Sequence, residues 1–246
     1  MFELTLSTTI DKQIYLSQLF SKLSEEIRQD AGVIAKQNNS GRTYLVVAVD
    51  EDKKEYYKSK VLDHILFMVT DDYKFNFYKE NLHPNDESEL YLAFLKAVTI
   101  FDTENDKEII QSEIQLVDEF LVDSFFYFKL GLLRGRWTKT VEIINQNKIT
   151  SSEKAMSDVL KYLLAVSESE VASITILLSK KRISIQNCCQ NKNFKTDFDG
   201  KSNFFAEIVK LNPSKINLKV SNGAAYAEKI KDKLSQIFGE KIYLIN

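Results

Sequence analysis

Cysteine, proline and glycine are all scarce in this chain of 246 residues, which contains two, two and seven of them. The two cysteines are the neighbours Cys188 and Cys189, so they cannot build the disulfide framework of a small secreted protein. The low proline and glycine content excludes a Pro/Gly-rich linker and favours long regular elements with few tight loops. Because no basic start followed by an apolar core opens the sequence, we expect no secretory signal and a cytoplasmic protein.

An excess of charge of either sign is also lacking, because 33 Lys and Arg nearly balance 35 Asp and Glu. The charges are nevertheless unevenly spread. Residues 1–150 hold 18 basic and 25 acidic side chains, whereas residues 151–246 hold 15 and 10. The basic C-terminal half could face nucleic acid, or the two halves could simply attract each other.

The densest apolar stretch, Leu116–Leu133, lies near the middle of the chain. Its apolar positions recur every three or four residues, which predicts one buried helix from near Lys107 to about Asn147, either straight or kinked where Gly131 and Gly135 weaken it. A membrane span needs roughly 20 nearly uncharged residues, and this stretch carries several charges, so we expect a core helix and not a span. The predicted apolar face consists of Ile110, Ile114, Val117, Leu121, Phe125, Phe128 and Leu132.

The N-terminal third contains both the period of two typical of strands and the period of three to four typical of helices. Residues 2–8 predict a strand, residues 14–27 a helix, and residues 33–49 a hairpin with a polar turn at Asn38–Gly41. Residues 51–78 are helical in pattern, although Tyr73, Phe75 and Phe77 alternate as in a strand. Asn85 or Asp86 is then expected to cap a helix that ends near Thr99.

The C-terminal third predicts a helix from Ser151 or Ser152, and then a hairpin of residues 171–178 and 182–186. A polar loop over residues 190–199 follows, and then a helix to about Leu211. Strands at 216–220 and 242–245 enclose a helix over 224–238, which makes a βαβ unit whose strands we expect to be parallel.

The predicted fold class is therefore α+β. It has a central helical region, a small N-terminal β-α-β-β unit, and a C-terminal mixed sheet that contains the βαβ unit. The change in composition predicts domains of residues 1–150 and 151–246, although a single domain also fits.

Residues typical of catalysis or metal binding are not grouped. His64 and His83 are the only histidines, and a zinc site needs about four ligands at close spacing, so we predict no metal, no cofactor and no catalytic residue. Asn222 and Gly223 precede the last long helix, whose N-terminal amides could bind an anion. The same residues are common helix caps.

Two groups of cations are candidates for contacts with phosphate. A cluster on the predicted hairpin and the polar loop after it could bind nucleic acid, although lysines in a hairpin turn also keep strand ends soluble. The second group includes Trp137 and suits the dipole at the end of the central helix. The first cluster is Lys180, Lys181, Arg182, Lys192 and Lys195, and the second contains Lys129, Arg134 and Arg136.

Three stretches resemble the YtxC-like sporulation protein family of spore-forming low-GC bacteria. They are the Phe-rich segment Phe120–Leu130, the stretch Val159–Leu177, and the C-terminal stretch from Leu211. The last contains Pro213, a strand, then Ile-Phe-Gly at 237–239 before a final strand. In that family Arg usually stands at the position of Lys129. The resemblance covers the C-terminal half and implies an intracellular sporulation protein of uncharacterised biochemistry.

These observations favour a non-enzymatic interaction or regulatory factor with a protein partner, associated with sporulation. A nucleic-acid-binding protein that uses its basic C-terminal half is the first alternative. An enzyme with a cleft between the two halves is the second.

Overall fold

The structure, a computed structural model, describes residues 1–86, 88–169, 171–179, 182–187, 191–195, 204–221 and 227–245, with backbone alone for 182 and 191–195. It is α+β, as predicted. The described strands are β1 Phe2–Thr9, β2 Val33–Asn39, β3 Arg42–Val49, β4 Glu119–Leu121, β5 Ser173–Leu178, β6 Arg182–Gln186, β7 Asn191–Lys195, β8 Lys215–Val220 and β9 Ile242–Ile245. The described α-helices are α1 Gln13–Gln29, α2 Lys54–Phe67, α3 Lys74–Asn81, α4 Glu89–Ile100, α5 Thr103–Glu113, α6 Val122–Phe128, α7 Gly131–Gln146, α8 Glu153–Val166, α9 Phe204–Leu211 and α10 Ala227–Phe238.

The chain divides into two compact units, each made of two segments. The first unit comprises Met1–Lys74 and Thr103–Lys139. The second comprises Phe75–Asp102 and Thr140–Asn246. A separation into independent domains near residue 150 stays a prediction.

The sheet of the first unit has the strand order β2-β3-β1-β4. Strands β2, β3 and β1 are antiparallel, and β4 runs parallel to β1. In β3 the alternate residues Thr43, Leu45, Val47 and Val49 are buried, which is the period of two that a strand imposes. Helix α1 packs on this sheet through Leu16, Leu19, Leu23 and Ile27, so the predicted β-α-β-β unit is confirmed.

Two turns of the first unit depend on small residues. Ser40 and Gly41 both have positive φ between β2 and β3, as a two-residue hairpin turn requires. Gly32 lies where the chain leaves α1 for β2, and a Cβ there would approach the carbonyl oxygen of Ala48 to 2.7 Å. Only glycine fits at position 32 without displacing the backbone.

Residues 54–81 form one helical run, in which a π-helical segment, Met68–Tyr73, separates α2 from α3. The strand alternative for Tyr73, Phe75 and Phe77 is therefore wrong. Phe75 and Phe77 are half-buried and Tyr78 is buried, which is the burial of one helix side and not of a strand. A π-segment shifts the helical register by one residue and occurs often where side chains are positioned for a function.

The prediction of one continuous central helix is wrong. Helix α5 ends at Glu113, β4 lies where the helix was predicted to continue, and α6 and α7 follow as separate helices. Strand β4 pairs with β1 at Leu6 and Phe120 and satisfies backbone groups that an edge strand would leave unpaired. The helical period is a local signal, and this pairing joins residues more than a hundred positions apart. Three members of the predicted apolar face are exposed: Val117, Phe128 and Leu132.

In the second unit α4 packs against α8 and α9. Ser88 caps α4 by accepting a hydrogen bond from the amide of Tyr91 (3.3 Å), so the predicted caps Asn85 and Asp86 are wrong. A serine directly before the first helical residue outcompetes capping residues that lie further upstream. Ser152 caps α8 in the same way, as predicted.

The sheet of the second unit has the order β7-β6-β5-β8-β9. Strands β8 and β9 are parallel and are joined through α10, which confirms the predicted βαβ unit. The predicted polar loop over residues 190–199 is wrong at Asn191–Lys195, which form β7 and pair antiparallel with β6. Pairing with a neighbouring strand overrides the low strand propensity of Asn and Lys.

Candidate functional site

Asp123 occupies the first turn of α6 and is almost fully buried at the end of the first sheet. Its carboxylate accepts hydrogen bonds from the Tyr73 hydroxyl (2.6 Å), the Thr8 hydroxyl (3.2 Å), and the Thr9 amide and hydroxyl (3.0 and 3.3 Å). Arg42 of β3 adds an ion pair at 2.9 Å. The carboxylate thereby joins α6 to β1, β3 and the π-helical segment.

Tyr73 is the last residue of the π-helical segment and the closest donor to Asp123. Burial and then the hydrogen bond to Asp123 raise the pKa of Tyr73 well above its usual value. Its ring contacts Phe126 at a centroid distance of 4.5 Å, and the Lys12 ammonium lies 4.5 Å from the ring centroid. Lys12 also pairs with Asp72 at 2.5 Å.

The hydrogen bonds of Asp123 hold several elements of the first unit together. Each oxygen of Asp123 already accepts at least two hydrogen bonds, so a substrate proton would have to displace Arg42 or Tyr73. Within the described ranges no three His, Cys, Asp or Glu side chains are grouped to hold a metal ion. The cluster therefore positions α6 on the sheet.

A second buried pair reinforces the same region of the first unit. Lys74 and Asp106 form an ion pair at 2.6 Å, and both side chains are almost inaccessible to water. Trp137 of α7 donates its indole N–H to the same carboxylate at 3.2 Å. Asp106 thus ties α5 to α7, and α7 follows directly after α6.

Helix α6 ends and helix α7 begins at an exposed corner of the first unit. Phe125 and Phe126 are buried, whereas Tyr127 and Phe128 at the end of α6 are 56% and 84% exposed. Leu132 in the first turn of α7 is 72% exposed. We call the surface of Tyr127, Phe128, Lys129, Gly131, Leu132 and Gly135 the aromatic corner. Scattered exposed apolar residues are normal, but these three lie within six positions of the chain where α6 gives way to α7, which makes them a candidate interaction surface.

Arg134 fixes the two sides of the aromatic corner to each other. Its guanidinium donates to the carbonyl of Tyr127 at 2.6 Å and lies 5.8 and 5.9 Å from the ring centroids of Phe126 and Tyr127. An arginine over aromatic rings contributes cation–π attraction as well as the hydrogen bond. The corner is therefore held by contacts of its own and is not a loose end of the chain.

The chain segment that contains the aromatic corner carries charges of one sign. From Ser124 to Lys139 the chain carries four cations and no carboxylate. Lys129 and Lys139 are exposed, and neither forms an ion pair with any residue that the structure describes. The four cations are Lys129, Arg134, Arg136 and Lys139.

A half-open groove of about 460 Å³ lies between α1 and α2 in the first unit, with Leu19, Leu23 and Phe67 among its lining residues. His64 lines it too and is hydrogen-bonded through Nε2 to the carbonyl of Tyr15 at 2.7 Å. Burial lowers the pKa of His64. Glu26 and Lys60, which also line the groove, form an ion pair with each other.

The predicted basic cluster is only partly within the described structure. Lys180 and Lys181 lie outside the described residues. Arg182 lies in β6 and is directly paired with Lys195 of β7, while Lys192 is paired with Ile185. The hairpin register thus places the backbones of Arg182 and Lys195 side by side.

The predicted anion site at Asn222 and Gly223 lies outside the described residues and stays a prediction. The second cationic group is divided by the fold, because Trp137 is buried while Lys129 is exposed. Sequence reasoning missed the aromatic corner because it assigned Phe128 and Leu132 to a buried helix face. The signal that was available is the pair of glycines around Leu132, which weakens a core helix.

Comparisons with known proteins supply no further assignment. No protein-family model, no curated protein and no solved structure matches this chain. The resemblance to the YtxC-like family stays a prediction. Among the described residues, no helix has both the length and the apolar character needed to cross a membrane.

Proposed function

We propose that this protein is a non-enzymatic binding protein, an interaction or regulatory factor whose partner docks on the aromatic corner. The observation that carries the proposal is the exposure of Phe128 and Leu132 on helices that Asp123 and Asp106 fix in place. Burying a Phe or Leu side chain contributes roughly 1.5–3 kcal/mol each. A rigid surface that offers both loses little conformational freedom on binding.

The setting of this role follows from the family resemblance. A YtxC-like protein would act in the cytoplasm of a spore-forming bacterium, with a partner present during sporulation.

A photo-crosslinking amino acid at position 128, introduced in sporulating cells, tests the proposal. We expect a discrete crosslinked product that disappears when Leu132→Ser is also present. The same probe at Ile14, which is 57% exposed on α1, is the matched control and should give no such product. Equal crosslinking from both positions would remove the proposal, and turnover in a broad screen of phosphoesters, peptides and nucleotides would favour the enzyme alternative.

Nucleic-acid binding by the C-terminal half is the second candidate. The observation that favours it is the direct pairing of Arg182 with Lys195 in the β6–β7 hairpin. Binding to duplex DNA or to RNA should then weaken steeply with salt and with neutralisation of Lys180, Lys181 and Arg182. Affinity that is indifferent to salt and to these changes would reject this candidate.

A further inference from the structure

The charge of the aromatic corner contrasts with the rest of its unit. The first unit contains 15 Lys and Arg and 19 Asp and Glu. The segment from Ser124 to Lys139 holds four of those cations and none of the carboxylates, which leaves 11 cations and 19 carboxylates elsewhere in the unit. A partner with a compact acidic surface would complement the corner.

The exposed face of α7 has two positions without a side chain, where a partner could approach the helix backbone. Gly131 and Gly135 are one helical turn apart, and nothing lies within 4 Å of the place where either Cβ would stand. No contact of the described chain therefore requires glycine at these positions. Glycines spaced by four on a helix let a second helix approach its backbone closely. Leu132 and Phe128 stand beside this flat strip as apolar anchors.

Three occupants of this surface can be ranked by charge and shape. A second copy of the chain in a symmetric contact would place the cations of one corner against those of the other. An extended polyanion, such as a membrane surface or a long duplex, would also meet the acidic remainder of the unit. A short acidic helix touches only the corner, uses the open strip of Gly131 and Gly135, and brings no cations of its own against Lys129 and Lys139.

We propose that the aromatic corner docks an amphipathic helix of a partner protein, with an apolar stripe that covers Phe128 and Leu132 and carboxylates that face Lys129 and Lys139. This inference rests on the proposed function and names the partner's chemistry. The recognition mode is that of a helix laid on an apolar surface, with anchors spaced by three and four residues.

A displayed library of 20-residue helical peptides, selected against the full chain, tests this inference. We expect the enriched peptides to be acidic, with an apolar period of three and four residues. A synthetic peptide of the enriched sequence should bind at least about tenfold more weakly to Phe128→Ser/Leu132→Ser and to Gly135→Leu, since interface anchors typically carry this much. Ile14→Ser is the matched control and should leave the affinity within about twofold.

The variants are expected to fold. Phe128, Leu132 and Gly135 are exposed, and a side chain at position 135 meets no neighbour. Circular dichroism and urea unfolding check this for each variant. A library with no enrichment over the Gly135→Leu background, or with enriched peptides that lack acidic charge or helical period, overturns the inference.

Three further measurements separate this inference from the proposed function. The first two measure binding to vesicles with anionic phospholipid and to a 20-base-pair duplex. If the chain binds either one and Phe128→Ser abolishes that binding, the corner is a binding surface but the helical partner is overturned. The third measures self-association by sedimentation. If the chain self-associates and Leu132→Ser abolishes this, the occupant of the corner is a second copy of the chain and the helical partner is again overturned. If the corner variants alter binding to none of these probes, both the inference and the proposed function fail.

Discussion

Replacing Asp123 by alanine removes the group that fastens α6 to the first sheet. The change takes away the carboxylate that accepts hydrogen bonds from the hydroxyls of Thr8 and Tyr73 and from the amide of Thr9. It also leaves the Arg42 guanidinium without its carboxylate partner. Helix α6 would then lose its polar link to the sheet and keep its buried apolar residues Val122, Phe125 and Phe126.

The cost follows from the burial of the ion pair. Removing one partner of a buried pair costs about 3–5 kcal/mol because the other charge is left uncompensated. The side chain of Asp123 is 11% exposed, but that of Arg42 is 25% exposed, so water can solvate part of the stranded guanidinium. We therefore expect Asp123→Ala to lower the free energy of unfolding by about 3 kcal/mol, at the low end of the range.

Asp123→Asn separates charge from shape. The amide oxygen can face the Thr9 amide and Arg42, which only donate, while its NH₂ faces the hydroxyls of Thr8 and Tyr73, which can also accept. The hydrogen bonds then persist, but the ion pair becomes a neutral contact. Since a hydrogen bond to a charged group contributes about 1.5–3 kcal/mol and a neutral one about 1 kcal/mol, we expect a loss of about 1–2 kcal/mol.

Urea unfolding followed by tryptophan fluorescence measures both effects in the relevant unit. Trp137 is the single tryptophan of the chain and is buried in the first unit. Asp118→Ala is the matched control, because Asp118 is exposed just before β4 and its loss should change stability by no more than about 0.5 kcal/mol. If Asp123→Ala costs no more than Asp118→Ala, the reasoning about the buried carboxylate is refuted.

Three further predictions address other parts of the first unit. Gly135→Ala should raise the free energy of unfolding by up to about 1 kcal/mol, because alanine has the higher helix propensity. Gly32→Ala should lower the free energy of unfolding, because its Cβ would meet the carbonyl oxygen of Ala48 at 2.7 Å. The urea midpoints of the two variants should therefore shift in opposite directions. Burial lowers the pKa of His64 in the folded chain below the unfolded-state value of about 6.5, so the unfolded chain binds the proton more readily. The free energy of unfolding should therefore fall as the pH is lowered from 7.5 to 5.5. His64→Gln should flatten this dependence, and an unchanged slope would contradict the reasoning. Asp106→Ala strips Lys74 of a buried carboxylate partner and should cost about 3–5 kcal/mol in thermal or urea unfolding, far more than the exposed Glu104→Ala.

The elements that sequence reasoning predicted well are those whose signals are local. Strand β1 alternates apolar and polar residues, and the β2–β3 hairpin has a turn that needs a glycine at Gly41. The helix of the βαβ unit ends at Phe238, directly before Gly239, which has a positive φ. In each case the residues that decide the structure lie within a few positions of one another, so pattern and turn chemistry suffice.

The middle of the chain was predicted wrongly because its structure is decided by distant residues. Strand β4 exists because β1 offers an open edge, and α6 begins where Asp123 meets Thr8 and Thr9. A charge within an apolar run can interrupt a helix face or anchor a new element. The spacing of Phe125, Phe128 and Leu132 does not distinguish these outcomes, since the same period describes one long helix or two short ones.

The candidate site illustrates a different limit, because stability and binding place opposite demands on apolar residues. Asp123 joins α6 to the sheet, and its loss should weaken binding only through the position of α6. Phe128 contacts water over most of its surface, so Phe128→Ser should leave unfolding nearly unchanged. If the same change abolishes binding to a partner, the side chain acts in recognition and not in the core. Sequence pattern alone assigns both residues to one helix, and only exposure in the folded chain separates the support from the surface it presents.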